Sequence, residues 1–322
     1  MNPRTEPWPQ AWHRALYGPR GFYRRAEGPA GHFSTSVAGI PQASTVMARA
    51  IVALARRTGR SVVVDLGAGR GSLIQQVRRI DPGLRCVGVD VVAAPPETPA
   101  EVEWWVSEGG ALLPRELDGL SDVLVVAHEW LDVVPATVAR QDPAGTWRAG
   151  SVDTRTGEQT WEAPVADEER AWLERWTDPG TDIAEVGLTR ERAVADLRGR
   201  LRRSTVLLVD YGHLRHERPP QGTLVGYRHG EVLPPVPDGS MDLTAHVAVD
   251  ALWASLGAGA LMRARQREAL AELLETPRID QQLAHTLPST YLHQLAEQQA
   301  RRELSRDGGL GDFWWVLAES TG

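Results

Sequence analysis

The sequence predicts an α/β fold with a doubly wound, mostly parallel sheet, on three observations. Short apolar runs rich in β-branched residues recur along the chain, at Val62-Val63-Val64, Val87 to Val89, Val123 to Ala127 and Val206 to Val209; runs of this length are the signature of strands buried on both faces. Segments with helical apolar spacing separate them. One run passes through Asp65 into Gly67, Gly69 and Gly71 and then into Leu73, Ile74, Val77 and Ile80. That is strand, glycine turn and helix, the entry to a nucleotide-type crevice.

The elements follow in order. Residues 1–45 combine Pro, Gly and aromatics, with a short helix expected from Trp12 to Leu16. Aromatics beside glycines at 17–23 and 31–35 predict an ordered arm, read as a lid over the cofactor pocket. Val46, Met47, Ala50, Ile51 and Leu54 predict a helix over 42–58, stopped by Gly59. Strands are expected at 62–65, 85–90, 102–106, 122–127 and 206–210, with a helix at 72–80. Glu129 and Asp132 fall one helical turn apart just after the fourth of these strands, so a helical start there turns both the same way. Turn signals and short apolar pieces at 138–165, then Arg/Glu-rich helical pattern at 167–203, mark 138–203 as an insertion that shapes a substrate site. Asp242 or Thr244 is expected to cap a helix over 246–256. Helices follow at 265–275 and 289–304. Residues 312–317 form the last strand, antiparallel to the rest. The organisation is thus an arm (1–45), a first part of the core (46–137), the insertion (138–203) and the remainder of the core (204–322).

Two strand-end acids select the ligand. Asp65 directly precedes the glycines, and Asp90 ends the next strand. The glycine spacing is not the dinucleotide one, and an acid at the loop suits a cation better than a pyrophosphate. S-adenosylmethionine carries an ammonium and a sulfonium. Asp90 is placed to accept its ribose hydroxyls, and Ser107 and Glu108, at the end of the third strand, to meet its adenine.

Composition narrows the rest. The chain has 322 residues and a formal charge of −7, which argues against a nucleic-acid surface. No apolar run approaches membrane-spanning length, and there is no apolar signal-peptide core near Met1; a cytoplasmic protein is expected. The sequence has no lysine, which excludes P-loop and Schiff-base chemistry. A single cysteine, Cys86, excludes an intramolecular disulfide and multi-cysteine zinc sites. His213 and His216 lack the carboxylate or cysteine partners of a metal set and are read as solvated loop residues. No Gly-x-Ser-x-Gly elbow is present.

Several boxes then occur together. Ala15-Leu-Tyr-Gly-Pro-Arg-Gly-Phe-Tyr23, Gly31-His-Phe-Ser-Thr-Ser36, Asp65-Leu-Gly-Ala-Gly-Arg-Gly-Ser-Leu73, His128-Glu-Trp-Leu-Asp-Val-Val-Pro135, Asp210-Tyr-Gly212, Gly222-Thr-Leu224 and Asp242-Leu-Thr-Ala-His-Val247 resemble, in order, those of the MidA-type class I methyltransferases. These relatives include the mitochondrial protein arginine methyltransferase that assists respiratory complex I assembly. The resemblance implies a Rossmann-like, seven-stranded fold, S-adenosylmethionine as cofactor and a protein arginine as methyl acceptor. Two positions depart from the family pattern: His32 replaces its Asp and His128 its Asn.

Site roles follow from the two readings together. Asp65 with Gly67, Ala68 and Gly69 is expected to hold the methionine part, Asp90 and Val91 the ribose, and Phe33 and Thr35 to close over the cofactor. Glu129 and Asp132, with His128 beside them, are the catalytic candidates, supported by Asp210 and Asp242, because paired carboxylates bind a guanidinium fork. Oligomeric state is left open. The alternatives are an assembly factor that keeps the fold without catalysis, prompted by the two histidines, and a nicotinamide-dependent oxidoreductase.

Overall fold

The computed structural model describes residues 5–25, 39–275 and 279–320. Its centre is a seven-stranded sheet. In chain order the strands are β1 (Val62–Leu66), β2 (Arg85–Asp90), β3 (Val102–Val106), β4 (Ser121–His128), β5 (Arg202–Asp210), β6 (Ala260–Arg265) and β7 (Trp314–Glu319). They lie side by side as β3-β2-β1-β4-β5-β7-β6. The first five are parallel, and β7 runs antiparallel to both neighbours, as the sequence predicts for the last strand. The order reverses between β1 and β4, which opens a crevice beyond their carboxyl ends. The glycine turn and His128-Glu129 both lie there.

The sheet is buried on both faces because successive side chains alternate. Val63, Cys86, Leu124, Val126, Leu207 and Trp315 pack with helices Ala43–Thr58, Ser72–Ile80, Gln266–Leu273 and Pro288–Leu304. Val62, Val64, Val87, Val125, Val206 and Leu208 pack on the other side with helices Leu188–Arg200 and Val249–Leu256. The Cys86 thiol sits in the first layer, and burial pushes it up to about 11. Gly88 in β2 has a packing reason: the Trp104 ring lies where a Cβ would be, 2.4 Å from it.

Several expectations change. β6 was not expected; its two arginines mask the alternation, and Arg265 lies 3.6 Å over the Trp314 ring. Residues 129–134 form a turn, not a helix, because amides Leu131 and Asp132 bond the Asp210 carboxylate instead of continuing a helical ladder. Asp242 and Thr244 cap no helix: they belong to strand Asp242–Thr244, paired with Val225–Arg228, and the helix starts at Val249. His213 is buried, at 3% exposure, not solvated, while His216 is exposed.

The region 138–203 contains its own antiparallel sheet, from strands Val138–Gln141, Trp147–Asp153, Gln159–Pro164 and Ile183–Glu185. Its last helix, Leu188–Arg200, instead buries Ala193, Val194 and Leu197 against the central sheet. The arm is the fifth strand of this smaller sheet: Thr5–Pro7 pairs with Trp147–Asp153, Thr5 opposite Asp153. The following helix, Trp8–Tyr17, is longer than expected and buries Trp8, Trp12 and Leu16 completely. Its Trp12 indole N–H donates to the Leu243 carbonyl at 2.9 Å, and the Tyr17 hydroxyl donates to Val133 at 3.1 Å. Described arm residues therefore form an integral wall. His32, Phe33 and Thr35 lie outside the described residues.

Candidate active site

On one side of the crevice the backbone does the shaping. Gly67, Gly69 and Gly71 have φ of +80°, +56° and +71°, conformations that cost a side chain about 1–2 kcal/mol. Among the described residues, a Cβ at Gly67 or Gly69 would meet nothing within 4 Å. The Gly67 and Ala68 amides donate to the Val89 carbonyl, each at 2.9 Å, which folds the turn over the end of β2. Asp90 fixes its rim: Oδ2 accepts the Gly69 amide and Oδ1 the Val91 amide, both at 2.7 Å. Burial raises the Asp90 carboxyl even so, opposed by these amides and by the Arg24 charge. Asp65 lies beneath the turn at 4% exposure; burial and then the Asp90 charge push it up to about 7.

The third strand's end is tied into the same rim. The Ser107 hydroxyl donates to the Leu112 carbonyl at 2.7 Å and accepts the Gly109 amide at 3.1 Å. Glu108 is exposed. Arg24, from the arm, donates to the Val91 carbonyl at 3.0 Å and to that of Glu108 at 3.5 Å, bridging the ends of β2 and β3.

The other side is made of acids. The structure brings Glu129, Asp132, Asp210 and Asp242 together: the Glu129 charge raises the other three carboxyls, and the Asp132 charge raises those of Asp210 and Asp242. Glu129 holds φ +52°, rare for a non-glycine residue, with its amide bonded to Val209 at 2.8 Å. Asp132 is 2% exposed; its Oδ2 accepts the Tyr211 hydroxyl at 2.6 Å, and its Oδ1 is buried without a partner. Asp210 Oδ2 accepts the Leu131 and Asp132 amides at 2.9 and 3.1 Å. Asp242 accepts the Tyr23 hydroxyl at 2.8 Å. Burial, and then repulsion from Glu129, pushes Asp132 up to about 7. Asp242 reaches about 8, chiefly by burial. Asp210 is raised well above the usual range by burial and by Asp132. Burial and like charge favour the protonated form of such carboxyls, and a nearby cation favours the ionised one. His128 joins them, 3.5 Å from Glu129; burial lowers its imidazole to about 4, so it is neutral at physiological pH.

Sequence reasoning named the acids but not Tyr23, Arg24, Tyr211 or Arg190, which hold them and the rim. Tyr211 stood inside a quoted box; nothing in the spacing marked Arg190. Among the described residues no group of three or more His, Cys, Asp or Glu forms a metal site, and no helix is long and apolar enough to cross a membrane.

Comparison with known proteins follows this geometry. A COG1565 superfamily member from Burkholderia thailandensis, bound to S-adenosyl-homocysteine, superposes with a TM-score of 0.76 at 24% identity, covering 99% of this chain and 89% of the other. A second structure of a COG1565 superfamily protein from the same organism gives 0.72 at 24%, covering 99% and 88%. At this identity the likeness is one of fold, and it is the mixed α/β, mainly parallel fold of class I methyltransferases. No curated protein sequence matches the chain. Residues 80–266 match the family Methyltransf_28, described as "putative S-adenosyl-L-methionine-dependent methyltransferase". That match spans more than half of the chain, and the protein therefore belongs to this methyltransferase family, whose cofactor is S-adenosylmethionine.

Proposed function

We propose that this protein is a MidA-type enzyme that transfers a methyl group to a protein arginine side chain. The observation that carries the reading is the set of four acids at the ends of β4, β5 and strand Asp242–Thr244, three of them buried and raised. Such a set binds a guanidinium and gives up protons to do so.

The residues present fit the cofactor. The space before Gly67 and Gly69, clear of the described residues, admits a ligand against bare backbone, with Ala68 between them and Asp65 beneath as the counter-charge to its ammonium. Asp90 meets the Gly69 and Val91 amides, one on each oxygen, and a carboxylate has further lone pairs for ribose hydroxyls beside Val91. Ser107 and Glu108 border the adenine end. The bound cofactor supplies an activated methyl on its sulfonium. Glu129 and Asp132 orient the acceptor guanidinium in line with that methyl, and the free Oδ1 of Asp132 takes the N–H that faces it. As transfer proceeds the guanidinium loses a proton, and Glu129, the least buried of the four, passes it to solvent. Asp210 and Asp242 supply negative charge from behind. His128, being neutral, offers one donor and one acceptor where MidA-type relatives have an amide, which also does both. This removes one of the two motives for the non-catalytic alternative. Family membership likewise speaks against nicotinamide chemistry.

The test is incubation of the protein with methyl-labelled S-adenosylmethionine and cell extract, then identification of the labelled product by mass spectrometry. Methylarginine in a protein is the expected result. Label on lysine, an oxygen or a small molecule overturns the acceptor, and cofactor binding without transfer to anything supports the assembly-factor reading instead. We place the reaction in the cytoplasm.

A further inference from the structure

Arg190 lies in helix Leu188–Arg200, whose neighbours pack on the central sheet, yet its own side chain is 2% exposed and points at loops. All its hydrogen bonds go to backbone carbonyls: Nε to Val134 at 3.4 Å, Nη1 to His246 at 2.6 Å, and Nη2 to Asp132 and Ala245, both at 3.1 Å. Two of these acceptors lie in the turn after β4 and two in the segment after strand Asp242–Thr244. The same segments meet directly, through the Ala245 amide on the Asp132 carbonyl at 3.0 Å. The Trp12 ring covers the guanidinium at 6.0 Å. We propose that Arg190 is the positioning residue of the acid cluster, its guanidinium fork joining the turn that carries Glu129 and Asp132 to the strand that carries Asp242. The inference rests on the reading of that cluster as the acceptor site.

A buried guanidinium is costly unless its donors are used and its charge is met. Here the donors go to carbonyls, so no carboxylate is consumed in a paired salt bridge. Its charge is met at longer range by Asp210, Asp132, Glu185 and Tyr211, and it repels His213, His246 and Arg218. Glu185 is itself spent on the Thr223 amide and hydroxyl and the Leu224 amide. The remaining beneficiaries are two of the cluster's three aspartates, Asp132 and Asp210, both of which Arg190 holds lower than they would otherwise stand. A lysine would keep this charge but not the planar fork that joins the two segments.

The test needs no methyl acceptor, so it stands or falls separately from the arginine reading. Thermal stability of the purified protein is followed against pH for the wild type, Arg190→Gln and Arg190→Lys, with cofactor binding by calorimetry as the control. Stability falls as pH rises towards the raised carboxyl values, since the folded state then binds more protons than the unfolded chain. In Arg190→Gln this fall should extend higher by about one to three pH units, the effect of losing a nearby opposite charge. In Arg190→Lys its position should stay near that of the wild type. Cofactor affinity should be unchanged in both, because the glycine turn is a separate segment. A folded Arg190→Gln whose pH dependence matches the wild type overturns the proposal. Hydrogen exchange on the unaltered protein gives a second measurement should either variant fail to fold. The Leu131, Asp132 and Ala245 amides should exchange with the helix Leu188–Arg200, and their exchange while that helix stays protected overturns the proposal too.

Discussion

The two sides of the crevice solve opposite problems. On the glycine-turn side, Asp90 meets two backbone amides of its own neighbourhood, and the segments that form the rim are joined by short connections. On the acid side, four carboxyls from three segments face one another and are held by groups brought from far along the chain: Tyr23, Arg190 and Tyr211. The rim of the first side is organised before any ligand arrives, since the Asp90 oxygens meet backbone amides, and Asp65 beneath it is the one acid that Asp90 opposes there. The second favours protonated carboxyls, which a bound cation shifts towards the ionised form. On the proposed function the first side is a rigid seat for the donor, and the second an acceptor site whose electrostatics favour a cationic acceptor.

The sharpest way to break this contrast is Glu129→Gln, which should lower transfer at least about 100-fold, the lower range for a lost general base, while cofactor affinity by calorimetry stays within error. Normal turnover would end the role given to Glu129. Next in size, Asp90→Ala should weaken cofactor binding by about 10- to 100-fold, the worth of a charge-assisted hydrogen bond pair, leaving the pH dependence of the acid cluster intact. The smallest effect is on stability. Asp132, at about 7, and Asp242, at about 8, have raised folded values, so the ligand-free protein should lose stability as pH rises from about 4 to about 8. Asp132→Asn should flatten that loss and raise the melting temperature at pH 8 by a few degrees, about 2–4 °C per kcal/mol. A lower melting temperature at pH 8 would show that the cluster carries no such penalty.

These two sides were also unequally legible in the sequence. The glycine turn is read locally: strand, left-handed glycines and helix occupy one short stretch, and its physical demands fix residue types in order. β1, β2, β4 and β5 were found within a few residues because strands buried on both faces must be largely apolar. β6 lies at the edge and alternates with arginine, so it gave no run. The turn at 129–134 was misread because two acids three apart suit a helix start, whereas Asp210, 78 residues later, takes the amides that a helix would have used. Asp242 was read as a cap for a similar reason; its partner Tyr23 is 219 residues away. Arg190 had no local signature at all, since its role depends on four carbonyls in two distant segments. Spacing shows what a segment can do alone, and it is silent where the partner is long-range.

The pairing of Thr5 with Asp153 sets a timetable. As a nascent chain emerges at about 5–20 residues per second, the tryptophan-bearing helix that follows Thr5 waits on the order of ten seconds for the strand it docks on. During that interval two indoles that end up fully enclosed are open to water and to chaperones, so yield in the cell should respond more to events at this early segment than its few residues would suggest.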